Sequence, residues 1–263
     1  MTASSAPSVG GVLSADIAVP EHKRVVDFYS RVLSTGEAPL WRDDLMNNVG
    51  IPVIGVGERV EAYDHLPLQW MPHIKVSDVA ASVAQALGQG GHELMHHRDE
   101  RGQSLWAALR DPNGAAFGII PVLSSEAARQ TGDSSSDSEE GTGRISWLDL
   151  TVPDAVTTRD FYKAVVGWSA REIEMEDAGG RYADYVLCAD NGSGVAGVCH
   201  ARGVNRGLPV AWMIYLPVGD LAESLRRVPD GGGEVVRSTG SDSESAYAVI
   251  RDPVGAYLAL VPG

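Results

Sequence analysis

Cysteine is scarce in this 263-residue chain: Cys188 and Cys199 stand alone, without C-x-x-C spacing. A disulfide framework and a zinc knuckle are excluded, and a reduced, cytoplasmic protein is expected. Basic charge is short too, with 21 Lys and Arg against 35 Asp and Glu and a formal net charge of −14. Nucleic acids and anionic membranes reward clustered Lys and Arg, so neither is an expected partner. No run of about 18 apolar residues occurs. The N-terminal MTASSAPSVGG has no basic region leading into an apolar core, so neither a membrane span nor a signal peptide is expected. Phenylalanine is rare as well, three residues against six tryptophans.

What is present is repetition. RDPNGAAFGIIP at 110–121 returns as RDPVGAYLALVP at 251–262. SADIAVPEHKRVVDFYSRVLS near the start has its counterpart in SWLDLTVPDAVTTRDFYKAVVG, where V-P-acid recurs and F-Y follows seven residues after the acid. Val19 aligns with Val152, and Phe28 with Phe161. Alternating apolar residues (Ile17, Val19; Leu148, Leu150, Val152) give way to a period of three to four (Val25, Tyr29, Val32; Phe161, Val165), which predicts a strand running into an amphipathic helix. WMPHIKVSDVAASVAQALGQGGHEL at 70–94 and WMIYLPVGDLAESLRRVPDGGGEVV at 212–236 repeat that order, with Asp78 and Asp220 as expected N-caps. Four related strand-helix modules follow. At 44% hydrophobic residues each half has enough apolar side chains for a core. Residues 124–143, SSEAARQTGDSSSDSEEGTG, are polar, acidic and aperiodic, and are expected to form a flexible linker.

This arrangement resembles the vicinal oxygen chelate (VOC) superfamily, which includes glyoxalase I, extradiol dioxygenases and bleomycin-resistance proteins. The resemblance rests on the V-x-D strand, the F-Y-x-x-V-x-G helix and the D-P-x-G turn, in fourfold order over 12–122 and 144–262. It is closest in feel to tandem glyoxalase-like proteins of actinobacterial type. It implies an α+β fold of four βαβββ units forming two cups: a first domain at 12–123, the linker, and a second domain at 144–263.

The resemblance also implies one divalent metal per active cup, held by His, Gln or Glu on the first and last strands of the two units. Counted onto this chain, those places fall on Ser14, Trp147, Met71, Met213, Gly118, Ala259, Gly55 or Val56, and Gly197 or Val198. None is a usual ligand. No metal and no other cofactor is therefore expected, and the family's glyoxalase and dioxygenase activities lose their usual basis. A register two residues along brings Asp16 and His73 into play instead.

The remaining candidates are acids, a histidine and aromatics. Asp16 and Asp149 share a strand position; either is a general base in an apolar cup or a carboxylate bonded to nearby backbone. His73 is either a substrate-facing group or a satisfied buried histidine. His96 and His97 are adjacent on one strand, so at most one of them enters a cup. Cys199 beside His200 lacks a third partner for a nucleophile. Trp70, Trp106, Trp147, Tyr185, Trp212 and Tyr215 are the expected ligand-stacking side chains, with core packing as the alternative for the tryptophans. Two functions stand at this point. One is metal-independent binding of a small aromatic or natural-product-like molecule, as in sequestration of an antibiotic. The other is a VOC lyase, isomerase or oxygenase using noncanonical metal ligands, or Asp16, His73 and Asp149 as acids and bases. Beyond that small molecule the expected partner is at most a second copy, as monomer or homodimer.

Overall fold

The computed structural model describes residues 8–42, 53–122, 144–239 and 246–263. The expected linker at 124–143 lies outside them. The first module contributes β1 (Val12–Val19), α1 (His22–Leu33) and β2 (Ile54–Glu58). The second contributes β3 (Met71–Val76), α2 (Val79–Gly88), β4 (His92–Arg98), β5 (Ser104–Arg110) and β6 (Ala116–Pro121). The third has β7 (Trp147–Val152), α3 (Ala155–Val166), β8 (Ser169–Asp177), β9 (Gly180–Cys188) and β10 (Gly194–His200). The fourth has β11 (Trp212–Val218), α4 (Leu221–Asp230), β12 (Glu234–Ser238), β13 (Ala248–Arg251) and β14 (Tyr257–Pro262). In every module the first strand pairs in parallel with the last: β1 with β2, β3 with β6, β7 with β10, β11 with β14. The intervening strands of modules two to four add antiparallel pairs. No helix among the described residues is long and apolar enough to cross a membrane.

The chain divides into two compact units, and each takes one module from each half of the sequence. Unit 1 holds the second and third modules (His73–Glu140 and Asp149–Val210), together with Met1–Val12. Unit 2 holds the first and fourth (Leu13–Pro72 and Ala211–Gly263), together with Gly141–Leu148.

Asp78, Asp154 and Asp220 accept from the backbone N–H three residues on and so cap α2, α3 and α4, as the sequence predicts for Asp78 and Asp220. The α1 start differs: Glu21 is left-handed there, at φ 53°, and makes no side-chain cap.

Each unit closes on the two motifs that repeat. In unit 2 the Tyr29 hydroxyl of α1 donates to Asp252 Oδ2 at 3.0 Å, and the Trp70 indole N–H donates to the Tyr29 oxygen at 3.3 Å. In unit 1 the Tyr162 hydroxyl of α3 donates to Asp111 Oδ2 at 3.2 Å. The other carboxylate oxygen of each aspartate binds the D-P-x-G turn itself: Asp111 Oδ1 accepts from the N–H groups of Asn113 and Ala115, and Asp252 Oδ1 from those of Val254 and Ala256. Gly114 and Gly255 turn the chain at φ near 100°, which L side chains rarely adopt. Around these pairs lie aromatic contacts, Phe117 against Phe161 and Tyr162 in unit 1 and Phe28 against Tyr29 in unit 2. Phe28 lies so close to Gly231 and Gly233 that a Cβ on either would meet its ring at 2.6 or 2.7 Å.

Burial, the leading cause, holds Asp111 and Asp252 above the ordinary carboxylate range, opposed by the N–H donors of the turn. An acid with a raised folded pKa stabilises the fold fully below its unfolded value, and that contribution is lost as pH rises through the folded one. Stability is therefore expected to fall as pH climbs above 3.8 through the raised values, and the fall is shallower in an Asp111→Asn, Asp252→Asn double variant, measured by urea unfolding across pH. Tyr29→Phe leaves Asp252 Oδ2 without its side-chain donor and should cost about 1–3 kcal/mol in the same experiment at neutral pH.

Candidate functional site

Alternation along each first strand sends one set of side chains toward the helices and the other set to the opposite face. Ala15, Ile17 and Val19, then Ile74 and Val76, then Leu148, Leu150 and Val152, then Ile214, Leu216 and Val218 are all buried on the helix side. The opposite face carries Ser14 and Asp16, His73 and Lys75, Trp147 and Asp149, and Tyr215. One residue of each set sits directly across from a small residue on the parallel last strand: Asp16 from Gly55, His73 from Gly118, Asp149 from Gly197, and Tyr215 from Ala259.

That fourfold pairing sets which donor atoms are present at this place. Gly118 occupies the position where the resemblance implies a glutamate, and Gly55, Gly197 and Ala259 likewise have no donor atom in their side chains. The space is used by the neighbour: a Cβ on Gly118 would meet His73 Cδ2 at 2.5 Å, and one on Gly55 would strike the Asp16 carboxylate. At the place itself each module thus offers one first-strand side chain and no donor from the residue across from it on the last strand, which does not fit a resident divalent ion there. Among the described residues no three His, Cys, Asp or Glu side chains are grouped to hold a metal.

In unit 1 the second module presents an aromatic platform on this face. Trp106 of β5 is half-buried and pairs across strands with His97 of β4, their rings stacked at 5.8 Å and 24°. Two residues on, Ala108 pairs with Gly118, over which His73 lies. His96 belongs elsewhere: its side chain is nearly covered and its ring nitrogens bond Glu93 at 2.9 Å and Ser104 at 2.8 Å.

The third module presents a polar strip. Thr151 of β7 pairs with Cys199 of β10. One step beyond the Val198–Tyr185 pair, Cys199 faces Asp184 of β9. Asp184 is 5% exposed and its Oδ1 accepts from the His200 backbone N–H at 2.8 Å and from His200 Nδ1 at 3.2 Å. Burial pushes the Cys199 thiol far up, and the charges of Asp149 and Asp184 push it further, so it stays protonated at neutral pH.

Three expected ligand-binding residues are not on either surface. Trp70 is 1% exposed and bonds Tyr29, so it is part of the lock described above. Trp212, at the same place in the repeat, is fully buried. Tyr185 faces the helices, 5% exposed, with the Arg159 guanidinium 4.5 Å from its ring centroid. Trp106, Trp147 and Tyr215 are half-buried on the face opposite the helices, Tyr215 with its ring 6.1 Å from that of Tyr247. Asp16 is exposed on that face in unit 2, whereas His73 and Asp149 are half-buried in unit 1. Asp184 and Thr151 went unnoticed in the sequence; the parity of β9 puts Asp184 opposite Tyr185, but only the Arg159 contact shows which side is which. A cleft of about 710 Å³ in unit 2, lined among others by Glu21, His22, Lys23, Arg24 and Asp230, holds none of these residues.

The protonated thiol gives a direct check. In a Cys188→Ala background, native Cys199 should react with iodoacetamide far more slowly than in urea, and Asp149→Asn should raise the native rate several-fold. A native rate equal to that of the unfolded chain would contradict the burial described.

Residues 14–120 match the family described as glyoxalase-like domain, and residues 144–260 match the glyoxalase/bleomycin resistance protein/dioxygenase superfamily. CFP32 of Mycobacterium tuberculosis, named a glyoxylase, is 29% identical over 201 residues, 76% of this chain and 72% of its own length. DauV of Streptomyces sp. strain C5, named an anthracycline biosynthesis protein, is 26% identical over 196 residues, 74% of this chain and 66% of that protein. A variant of homoprotocatechuate 2,3-dioxygenase from Brevibacterium fuscum superposes with a TM-score of 0.58 at 14% identity, over 100% of this chain and 73% of that one. BphC, a halotolerant catechol dioxygenase, gives 0.55 at 13% identity over 98% and 88%. At such identities the structural likeness is one of fold. With two matching domains in tandem across both halves of the repeat, the chain belongs to the glyoxalase/bleomycin resistance protein/dioxygenase superfamily, the VOC proteins.

Proposed function

We propose that this protein binds a small planar aromatic molecule of natural-product type on the sheet face away from the helices, without a resident metal. The observation that carries the reading is the exchange at Gly118: the donor implied by the family is gone, and the His73 ring lies in its space, on the face that also carries the Trp106–His97 stack. A stack of two rings on one face with a polar imidazole suits a flat aromatic ligand with a hydrogen-bonding edge. DauV and DnrV, both named for anthracycline biosynthesis, support a ligand of that class. The domains are proposed to follow the sequence halves, 12–123 and 144–263, in a cytoplasmic monomer or homodimer.

A second reading is favoured by one observation in the third module. Asp149 lies close enough to Cys199 for its charge to help keep the thiol protonated, so an acid–base reaction on a bound molecule has a carboxylate available there, with Asp16 and His73 as the corresponding groups of the first half.

The test is quenching of tryptophan fluorescence by a dihydroxyanthraquinone. Saturable binding is expected, unchanged by EDTA and weakened about ten-fold by Trp106→Ala, in keeping with one lost aromatic contact. Absence of saturable binding, or binding abolished by the chelator, would count against the proposal. Turnover of the bound molecule that Asp149→Asn abolishes would favour the acid–base reading.

A further inference from the structure

Asp184 carries an atom that the fold leaves unserved. Both donors of His200 converge on Oδ1, and Oδ2, with almost no exposed surface, has no hydrogen-bond partner. A buried carboxylate oxygen without a donor is costly, and the protein interior rarely leaves one unmatched. The surroundings do not offer an internal solution. On one side stands Cys199, whose thiol is a weak donor. On the other stands Ile173 of β8, the cross-strand partner of Asp184, which has nothing to donate. Arg202, whose guanidinium feels the Asp184 charge, is committed to Asp177 at 2.7 Å and lies over the Tyr182 ring at 4.2 Å. The strip also holds a second acid, Asp149, whose charge is felt at Cys199 as that of Asp184 is. Two carboxylates flank one neutral thiol, with Thr151 beside it.

We propose that Asp184 Oδ2, with Cys199 and Thr151 alongside, is a binding subsite for an ammonium group of a small molecule. A cationic donor satisfies the unserved oxygen and offsets both acids, which a neutral hydroxyl does not. The step is binding only, with no bond made or broken. The proposal deepens the small-molecule reading above by giving the ligand a charged group, and it lies on the third module, apart in the fold from the Trp106 platform of the second.

The experiment separates the two. Whole, isotope-labelled protein is titrated with benzylammonium and, in parallel, with neutral benzyl alcohol, while amide and indole signals are followed by NMR. The His200 backbone N–H, which donates to Asp184 Oδ1, reports this subsite; the Trp106 indole N–H reports the aromatic platform. Benzylammonium should shift the His200 amide saturably and about ten-fold more tightly than benzyl alcohol, the worth of one charge-assisted hydrogen bond. In Asp184→Asn, which keeps the side-chain shape, the preference for the amine should vanish; an unchanged melting temperature shows that the fold is retained, and if it is not, Asp184→Glu, which keeps the charge but displaces it, serves instead and should reduce the preference several-fold, an undiminished preference overturning the proposal. A His200 amide that benzylammonium does not move would mean that solvent serves Oδ2 and would overturn the proposal, whatever the Trp106 signal does. So would an amine preference that survives Asp184→Asn and disappears in Asp149→Asn. A moving His200 amide with a silent Trp106 indole would uphold the subsite and remove the platform.

Discussion

A tyrosine hydroxyl on a buried aspartate holds each compact unit together. Tyr29 on Asp252 and Tyr162 on Asp111 join a helix from one half of the chain to a turn from the other. The aspartate serves two purposes at once, fixing its own D-P-x-G turn with one oxygen and receiving the tyrosine with the other. Burying a carboxylate is costly, so it is tolerated only where its oxygens are matched. That is why the two repeated sentences of the sequence contain Asp, Pro and Gly together, and why F-Y recurs upstream. The repeat encodes the lock, which in each unit joins one module from each half.

With the scaffold secured in this way, the opposite faces of the sheets carry the more varied side chains. Four first-strand residues of different chemistry, Asp16, His73, Asp149 and Tyr215, sit over four partners that are glycine or alanine. A glycine beneath a side chain is permissive: it lets an imidazole or carboxylate lie across the neighbouring strand where a larger residue would force it upright. The fold of the superfamily persists while the donor atoms that serve its metal chemistry are absent from the expected place, as expected if function resides in sites and not in folds. The first half keeps an aromatic surface around Trp106, and the second keeps an acidic, thiol-containing strip around Asp184.

Much of this was legible in the residues. The fourfold strand-helix order, the Asp78 and Asp220 caps and the inward apolar parity of β1, β3, β7 and β11 follow from short-range pattern, which local physics controls. Tryptophan was the misleading signal. Trp70 and Trp212 recur as buried core indoles, Trp70 bonded to Tyr29, and recurrence alone does not separate that from a ligand surface. Tyr185 and Asp184 are neighbours on β9, and which one faces the helices depends on the register of β9 with β10, where the pairing shifts between Gly194 and Ala196. Such an irregularity is set by tertiary packing and leaves no trace in alternation. Whether modules associate within or across halves was equally unreadable, because the Tyr–Asp pairs join residues 51 and 223 positions apart.

The central claim is that the side chains at the family's metal position do not hold a metal. Elemental analysis of untagged protein, produced in medium supplemented with Fe, Mn, Ni and Zn and purified without chelators, tests it most directly. The account predicts each metal at well under one ion per chain. One retained equivalent of any of them would contradict it and would require ligands other than those the first and last strands present.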